Sequence, residues 1–340
     1  IISSNILNKI IFLIFRFSSQ LKISIFTSKI DYLKKLSVRL YNKEYYHKWN
    51  EFVAQAKNAT FLFHRDFMEY HKDRFQDYSL LITDENENIK ALLPANRVED
   101  TVFSHQGLTY GGLVISHKTK LSDFIMYSKE VLNFLHQNGI KNFEVKVLPS
   151  IYSHTPSDEL EYVAFLCKAN LTRRDSLSVI DLASNFKYSH GRKQEVAKAK
   201  SLDFEIKEEN TFEAFWNEIL IPNLNEKHQA KPVHSLTEIS QLKEKFPKSI
   251  RQFNVYLNNK IVAGTTIFET PTVAHSQYIS GKTNAETNLS LDFLHHYLIK
   301  EVFKNKKYFD FGISNENQGK NINSGLLFWK ESFGARIITQ

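Results

Sequence analysis

The sequence predicts an α/β (α+β) protein of two tandem domains, each a mixed, mostly antiparallel sheet flanked by helices. Three observations lead there. The 340 residues are 42% hydrophobic and 24% charged, an ordinary globular composition with enough chain for two cores. Three strand patterns in succession, an amphipathic helix and a further strand occupy the first half. The same succession, with similar element lengths, recurs about 170 residues later, within ordinary domain size, and reads as an internal duplication.

The regular pattern begins near Leu36. A strand is expected over 37–41 and a helix over 44–57, with Tyr45, Trp49, Phe52 and Val53 on one face. Strands follow over 78–83, 89–98 and 101–105, separated by turn residues, as an antiparallel meander. The helix over 121–138 places Leu121, Phe124, Ile125, Val131, Leu132 and Leu135 on its apolar face and stops at Gly139; the strand over 142–148 stops at Pro149. In the second half the strands are 251–257, 261–269 and 273–279, then a helix over 289–303 and a strand over 308–313. Residues 186–201, with His190, Arg192, Lys193, Lys198 and Lys200, form a basic helix read as the connection between domains. Helical stretches over 211–221 and 236–246 flank a basic loop over 227–234, where Pro232 forbids a continuous helix. The expected division is an appendage over 1–35, a first domain over 36–184, and the linker helix with the second domain over 185–340.

Within the appendage, the apolar run 6–17 is shorter than the about 20 residues that span a bilayer. It reads either as a poorly ordered start or as an interfacial helix making peripheral membrane contact. The net charge of +7 favours anionic partners, among them nucleotide phosphates, RNA and anionic lipid, and no DNA-binding element is expected. Cys167 is the only cysteine, which excludes an intrachain disulfide and fits a reducing cytoplasm. The 13 histidines lack ligand spacings, and adjacent His295 and His296 point about 100° apart on a helix, so no metal is expected.

Gly281-Lys282-Thr283 imitates a phosphate loop, yet Ser276 stands where the first glycine is needed, so nucleotide hydrolysis is not expected. The loop 105–112 holds Gly107, Gly111 and Gly112 beside His105, Gln106 and Tyr110. It is either a bulge closing a strand or a ligand-contacting loop. Arg192 and Lys193 are either a solvated helix face or a phosphate clamp, and Lys231 adds a further cation for an anionic substrate.

The most specific signal is C-terminal. Tyr308-Phe309-Asp310-Phe311-Gly312-Ile313-Ser314 leads through a polar loop to Ser324-Gly325-Leu326-Leu327-Phe328-Trp329-Lys330-Glu331-Ser332-Phe333-Gly334-Ala335. This segment resembles the end of the Fem-type peptidoglycan aminoacyltransferases and of related bacterial acetyltransferase-fold proteins found with polysaccharide biosynthesis. Lys330 matches the lysine of their Gly-Leu/Ile-x-x-Phe-Lys-x-x-Phe-Gly pattern, and Asp310 the strand aspartate. The basic helix and the duplicated order resemble them too, over Ser37 to the end.

The resemblance implies the acetyltransferase-type fold used twice and transfer of an acyl or aminoacyl group to an amine. The donor would be acetyl-CoA, another acyl donor, or an aminoacyl group carried by tRNA; the acceptor, a small or nucleotide-linked molecule such as a cell-envelope precursor. The pyrophosphate segment of acetyl-CoA-using members is not recognisable over 280–285. Lys330 would supply a cation to the oxyanion or the donor phosphate, and Asp310 or His234 would take the proton. A non-catalytic nucleotide-sugar- or RNA-binding module is the alternative.

Overall fold

The computed structural model describes residues 13–16, 35–282, 284 and 287–340. The described residues form two compact units, one reaching Arg174 and including Gln340, the other spanning Asp175 to Thr339.

The first unit holds two sheets. Ser37–Leu40, Leu80–Thr83, Ile89–Leu93 and Val114–Ile115 make an antiparallel four-stranded one. The other runs Asn170–Leu171, Leu13–Arg16, Asn142–Val145, Thr101–Phe103, Asn96–Val98, Gln76–Asp77. The strand expected over 89–98 is two strands in different sheets, because Pro94 offers no N–H to continue a ladder. Helix Leu121–Gln137 buries Phe124, Tyr127, Val131, Leu132 and Leu135 against Leu80, Ile82, Ala91 and Leu93. Each such side chain contributes about 1.5–3 kcal/mol when fully buried. Leu13–Arg16 corrects the expectation of a detached appendage, for it pairs antiparallel with both Asn142–Val145 and Asn170–Leu171. The rest of 1–34 lies outside the described residues.

In the second unit, beside the short hairpin of Asn315–Glu316 and Asn321–Ile322, the strands are β1 Ser176–Asp181, β2 Phe204–Glu209, β3 Ile250–Leu257, β4 Lys260–Glu269, β5 Val273–Gly281, β6 Tyr308–Ile313 and β7 Arg336–Thr339. Strands β1 to β7 form one sheet in the order β2-β3-β4-β5-β6-β1-β7. The helices of eight or more residues are α1 His190–Ala199, α2 Ile221–His228, α3 Leu236–Lys245, α4 Ser290–Tyr297 and α5 Ser324–Ser332. Every strand pair is antiparallel except β5–β6, which α4 and its π-helical continuation Leu298–Val302 connect as a crossover. Phe253, Val255, Ala263, Ile267, Ala274, Phe309 and Phe311 from the sheet pack with Leu294, Leu298, Phe303 and Phe333.

Two boundaries differ from the sequence-based division. Strand β1, expected in the first domain, lies between β6 and β7. Helix α1 is not a linker: its Arg192 pairs with Asp292 of α4, which fixes α1 inside the second unit. A strand's sheet is decided by partners distant in sequence, which local pattern does not report.

Candidate active site

The parallel ladder between β5 and β6 is short. Val273 faces Tyr308, Ala274 faces Phe309 and His275 faces Asp310; beyond that pair the two strands no longer bond to one another. Each gains an extra residue there. On β5, Tyr278 opposes Thr266 and Ser276 opposes Ile267, leaving Gln277 as the surplus residue. On β6, Asp310 opposes Val179 and Ile313 opposes Leu177, so two residues face one, and Gly312 takes φ +73°. Such bulges bend a strand and increase its twist. Side by side they open a wedge with His275 and Asp310 at its apex.

The bulge on β5 also re-aims side chains. His275 shares a sheet face with its partner Phe268, and Tyr278 shares that face with Thr266, although residues three apart on a regular strand point to opposite faces. His234 joins them there: its ring centroid lies 6.1 Å from that of Phe268 and its Nδ1 lies 2.6 Å from the Tyr278 hydroxyl. The backbone N–H of His234 donates to the same hydroxyl at 3.2 Å. The Trp216 indole N–H bonds the His234 carbonyl at 3.2 Å.

Asp310 is wholly enclosed, with 0% exposure. Its Oδ2 lies 2.9 Å from His275 Nδ1, and its Oδ1 accepts the Gly312 N–H at 2.7 Å. A Cβ on Gly312 would stand 3.2 Å from His275 Cε1, so glycine meets both the left-handed backbone and the close approach of the imidazole. Lys330 reaches the same bulge from α5. Its Nζ donates to the Gly312 carbonyl at 3.1 Å and the Ile313 carbonyl at 2.6 Å, which uses two of an ammonium's three donors among the described residues. Burial lowers the Lys330 pKa to about 8, and the Asp310 carboxylate opposes that shift. Asp310 and Lys330, both expected from the sequence, therefore meet at one bulge, with His234 on the Tyr278 side.

Helix α5 is clamped from below. Asp292 accepts the Trp329 indole N–H at 2.7 Å and pairs with Arg192, whose Nε donates to the Ser332 hydroxyl at 2.9 Å. Arg192 also lies over the Phe333 ring at 4.6 Å and pairs with Glu195 at 2.9 Å. This corrects both sequence readings of Arg192, as solvated face and as phosphate clamp. Its guanidinium is buried and committed to holding the helix that carries Lys330. Lys193 and Lys231 are exposed and remain available to an anionic ligand. Among the described residues no cluster of three or more metal-binding side chains occurs.

His105, Gln106 and Tyr110 belong to the first unit, where they point inward. His105 is buried at φ +69°, its ring 5.1 Å from that of His71, and burial pushes its pKa well below the ordinary value. Gln106 exchanges two hydrogen bonds with the Asn96 side chain, and the Tyr110 hydroxyl donates to Thr60 at 3.0 Å. The corresponding parallel pair of the first unit stays closed. Ser104 N–H bonds the Glu144 carbonyl, Lys146 N–H the Ser104 hydroxyl, and Gly111 N–H the Lys146 carbonyl. Lys146, whose pKa burial lowers to about 7, donates to the carbonyls of Gln106 and Leu108 and pins the loop into that gap. The loop is thus structural, the strand-closing alternative of the sequence reading.

His275 and Lys146 were not singled out from sequence. Each draws its significance from a β-register, and no local motif marks either.

No family model and no curated protein matches the sequence. Solved structures do match. FemX shares 8% identity, covering 88% of this chain and 94% of that one, at a TM-score of 0.58. L-PGS from Bacillus licheniformis shares 12% over 88% and 90%, at 0.53. The C-terminal domain of a putative lysylphosphatidylglycerol synthetase from Agrobacterium fabrum shares 11% over 88% and 91%, at 0.52. At these identities the likeness is one of fold. The sheet order, the crossover and these neighbours together give the chain a FemX-like fold, two units of β-sheet flanked by helices.

Proposed function

We propose that the second unit transfers an acyl or aminoacyl group to an amine at the wedge between β5 and β6. The observation that carries this reading is Lys330, a buried ammonium held at the β6 bulge with a third donor uncommitted among the described residues. A cation held in a low-dielectric site needs no reorganisation as negative charge grows on a carbonyl oxygen, and one such donor is worth about 10²–10³ in turnover. Acceptors in keeping with the basic surface are nucleotide-linked amino sugars and anionic cell-envelope precursors, with exposed Lys193 and Lys231 on the same unit as anion contacts. Acyl-CoA and aminoacyl-tRNA are the donor classes proposed, and cytoplasmic chemistry fits both. No helix among the described residues is long and apolar enough to cross a membrane.

The test incubates the purified chain with isotope-labelled acetyl-CoA or aminoacyl-tRNA and a panel of nucleotide-linked amino sugars and envelope precursors. Product formation is read by mass spectrometry. A new amide that disappears with Lys330→Met supports the reading. Retention of nucleotide-sugar or RNA with no transfer to any amine would replace it with a binding module.

A further inference from the structure

The first unit holds a cavity that the acyl-transfer reading does not use. It measures about 410 Å³, inside the range of about 300–1,000 Å³ usual for small-molecule sites. It lies at one end of the four-stranded sheet. There the residues before Ser37–Leu40, the turn between Leu80–Thr83 and Ile89–Leu93, the residues after Val114–Ile115 and the first two turns of helix Leu121–Gln137 converge. Part of the lining is committed to the fold. Asp84 Oδ1 accepts the backbone N–H groups of Asn86 and Asn88 at 3.0 and 2.9 Å, and its Oδ2 pairs with Lys90 at 2.7 Å, which fixes the turn. Asp123 accepts the Lys120 N–H at 3.2 Å across the start of the helix.

Tyr127 separates this cavity from a chance cluster of surface charges. It lines the cavity with only 7% of its surface exposed, and its hydroxyl has no hydrogen-bond partner among the described residues. A buried polar group without a partner is rare and costs free energy unless a ligand uses it. Burial, with the nearby Asp123 and Asp84 carboxylates, pushes the Tyr127 pKa to about 12, so the hydroxyl keeps its proton and stands within the field of both acids. The charges then sort by depth. Three ammoniums, of Lys35, Lys90 and Lys118, match three carboxylates, of Asp84, Glu85 and Asp123, and the cavity as a whole is neutral. Lys90 neutralises Asp84, which leaves net negative charge at Asp123 beside Tyr127. At the exposed rim, Lys35 and Lys118 outnumber Glu85, and none of the three side chains has a partner among the described residues. A bare phosphate would meet the inner carboxylate, and a bare amine the outer lysines. We propose that the cavity binds a small zwitterion of the free amino acid class, its ammonium against the Tyr127 hydroxyl oxygen and Asp123 and its carboxylate between Lys35 and Lys118. This stands on the first unit alone and does not depend on acyl transfer in the second.

The test titrates the full chain, by ligand-observed NMR and calorimetry, with a panel of free amino acids, their N-acetyl derivatives, their methyl esters and inorganic phosphate. At least one free amino acid should bind saturably. Its N-acetyl derivative and its methyl ester should each bind about tenfold more weakly, because each lacks the charge at one end. Tyr127→Phe deletes the hydroxyl and little else. Affinity for the free amino acid should fall about tenfold, while the melting temperature holds or rises because the parent hydroxyl has no partner to lose. Lys118→Ala, at the exposed rim, should weaken the free amino acid and leave its methyl ester unchanged. The inference is overturned if no amino acid binds below about 10 mM, if the ester binds as well as the acid, or if inorganic phosphate is preferred. A Tyr127→Phe chain that melts lower and binds unchanged overturns it too, by assigning the hydroxyl to the fold.

Discussion

Replacing Lys330 by Met keeps most of the stem and deletes the charge, and the consequence for stability has a definite pH signature. Burial lowers the Lys330 pKa from 10.5 to about 8. Between those values an unfolded chain still holds the proton that the folded chain has released, so raising the pH favours the folded state. At 1.36 kcal/mol per unit, a shift of about 2.5 units amounts to about 3 kcal/mol, fully present above pH 10.5 and lost as the pH falls through 8. Below pH 7 the methionine variant is relieved of the buried charge but leaves the Gly312 and Ile313 carbonyls without their donor, at about 1–3 kcal/mol for each buried group. The two costs nearly cancel, so near neutrality the variant should melt close to the parent. Urea unfolding from pH 7 to 10.5 would then show the parent gaining about 3 kcal/mol on the variant. Parallel curves for the two proteins would refute the placement of a lowered-pKa ammonium at the bulge. If that ammonium also serves the oxyanion, activity declines as pH rises through about 8.

Arg192→Ala should destabilise by about 3–5 kcal/mol, because it strands buried Asp292 without its cation; denaturant titration checks this, and a change under 1 kcal/mol would contradict it. Lys193→Ala, on the exposed side of the same helix, should stay within about 0.5 kcal/mol while weakening retention of a phosphate-bearing ligand. Gly312→Ala should cost about 1–2 kcal/mol from the left-handed backbone alone and displace His275, read as a changed histidine NMR signal. Ile14→Pro should lower the melting temperature, since Leu13–Arg16 bonds to a strand on each side; an unaltered Tm would return that segment to a dispensable appendage.

The division between what sequence and tertiary structure decided follows the range of the interactions. Strand and helix periods are local, and they placed helix Leu121–Gln137, strands β3 to β6 and the duplicated order close to where they stand. Asp310 and Lys330 were legible because a strand, a loop and a helix adjacent in sequence carry them. Register is not local. That His275 meets Asp310 depends on how β5 and β6 align across a crossover, and that Tyr278 shares its face depends on one surplus residue, Gln277. Arg192 was misjudged for the same reason: a charged residue in a basic helix reads as solvated until a buried carboxylate elsewhere in the chain, Asp292, is brought beneath it. The first-unit loop carries the same glycines whether it binds a ligand or fills a gap, and only Lys146, reaching it from a neighbouring strand, decides for filling. Composition and period thus determined the elements and their order, while contacts between residues far apart in the chain decided which polar groups are buried, paired and poised.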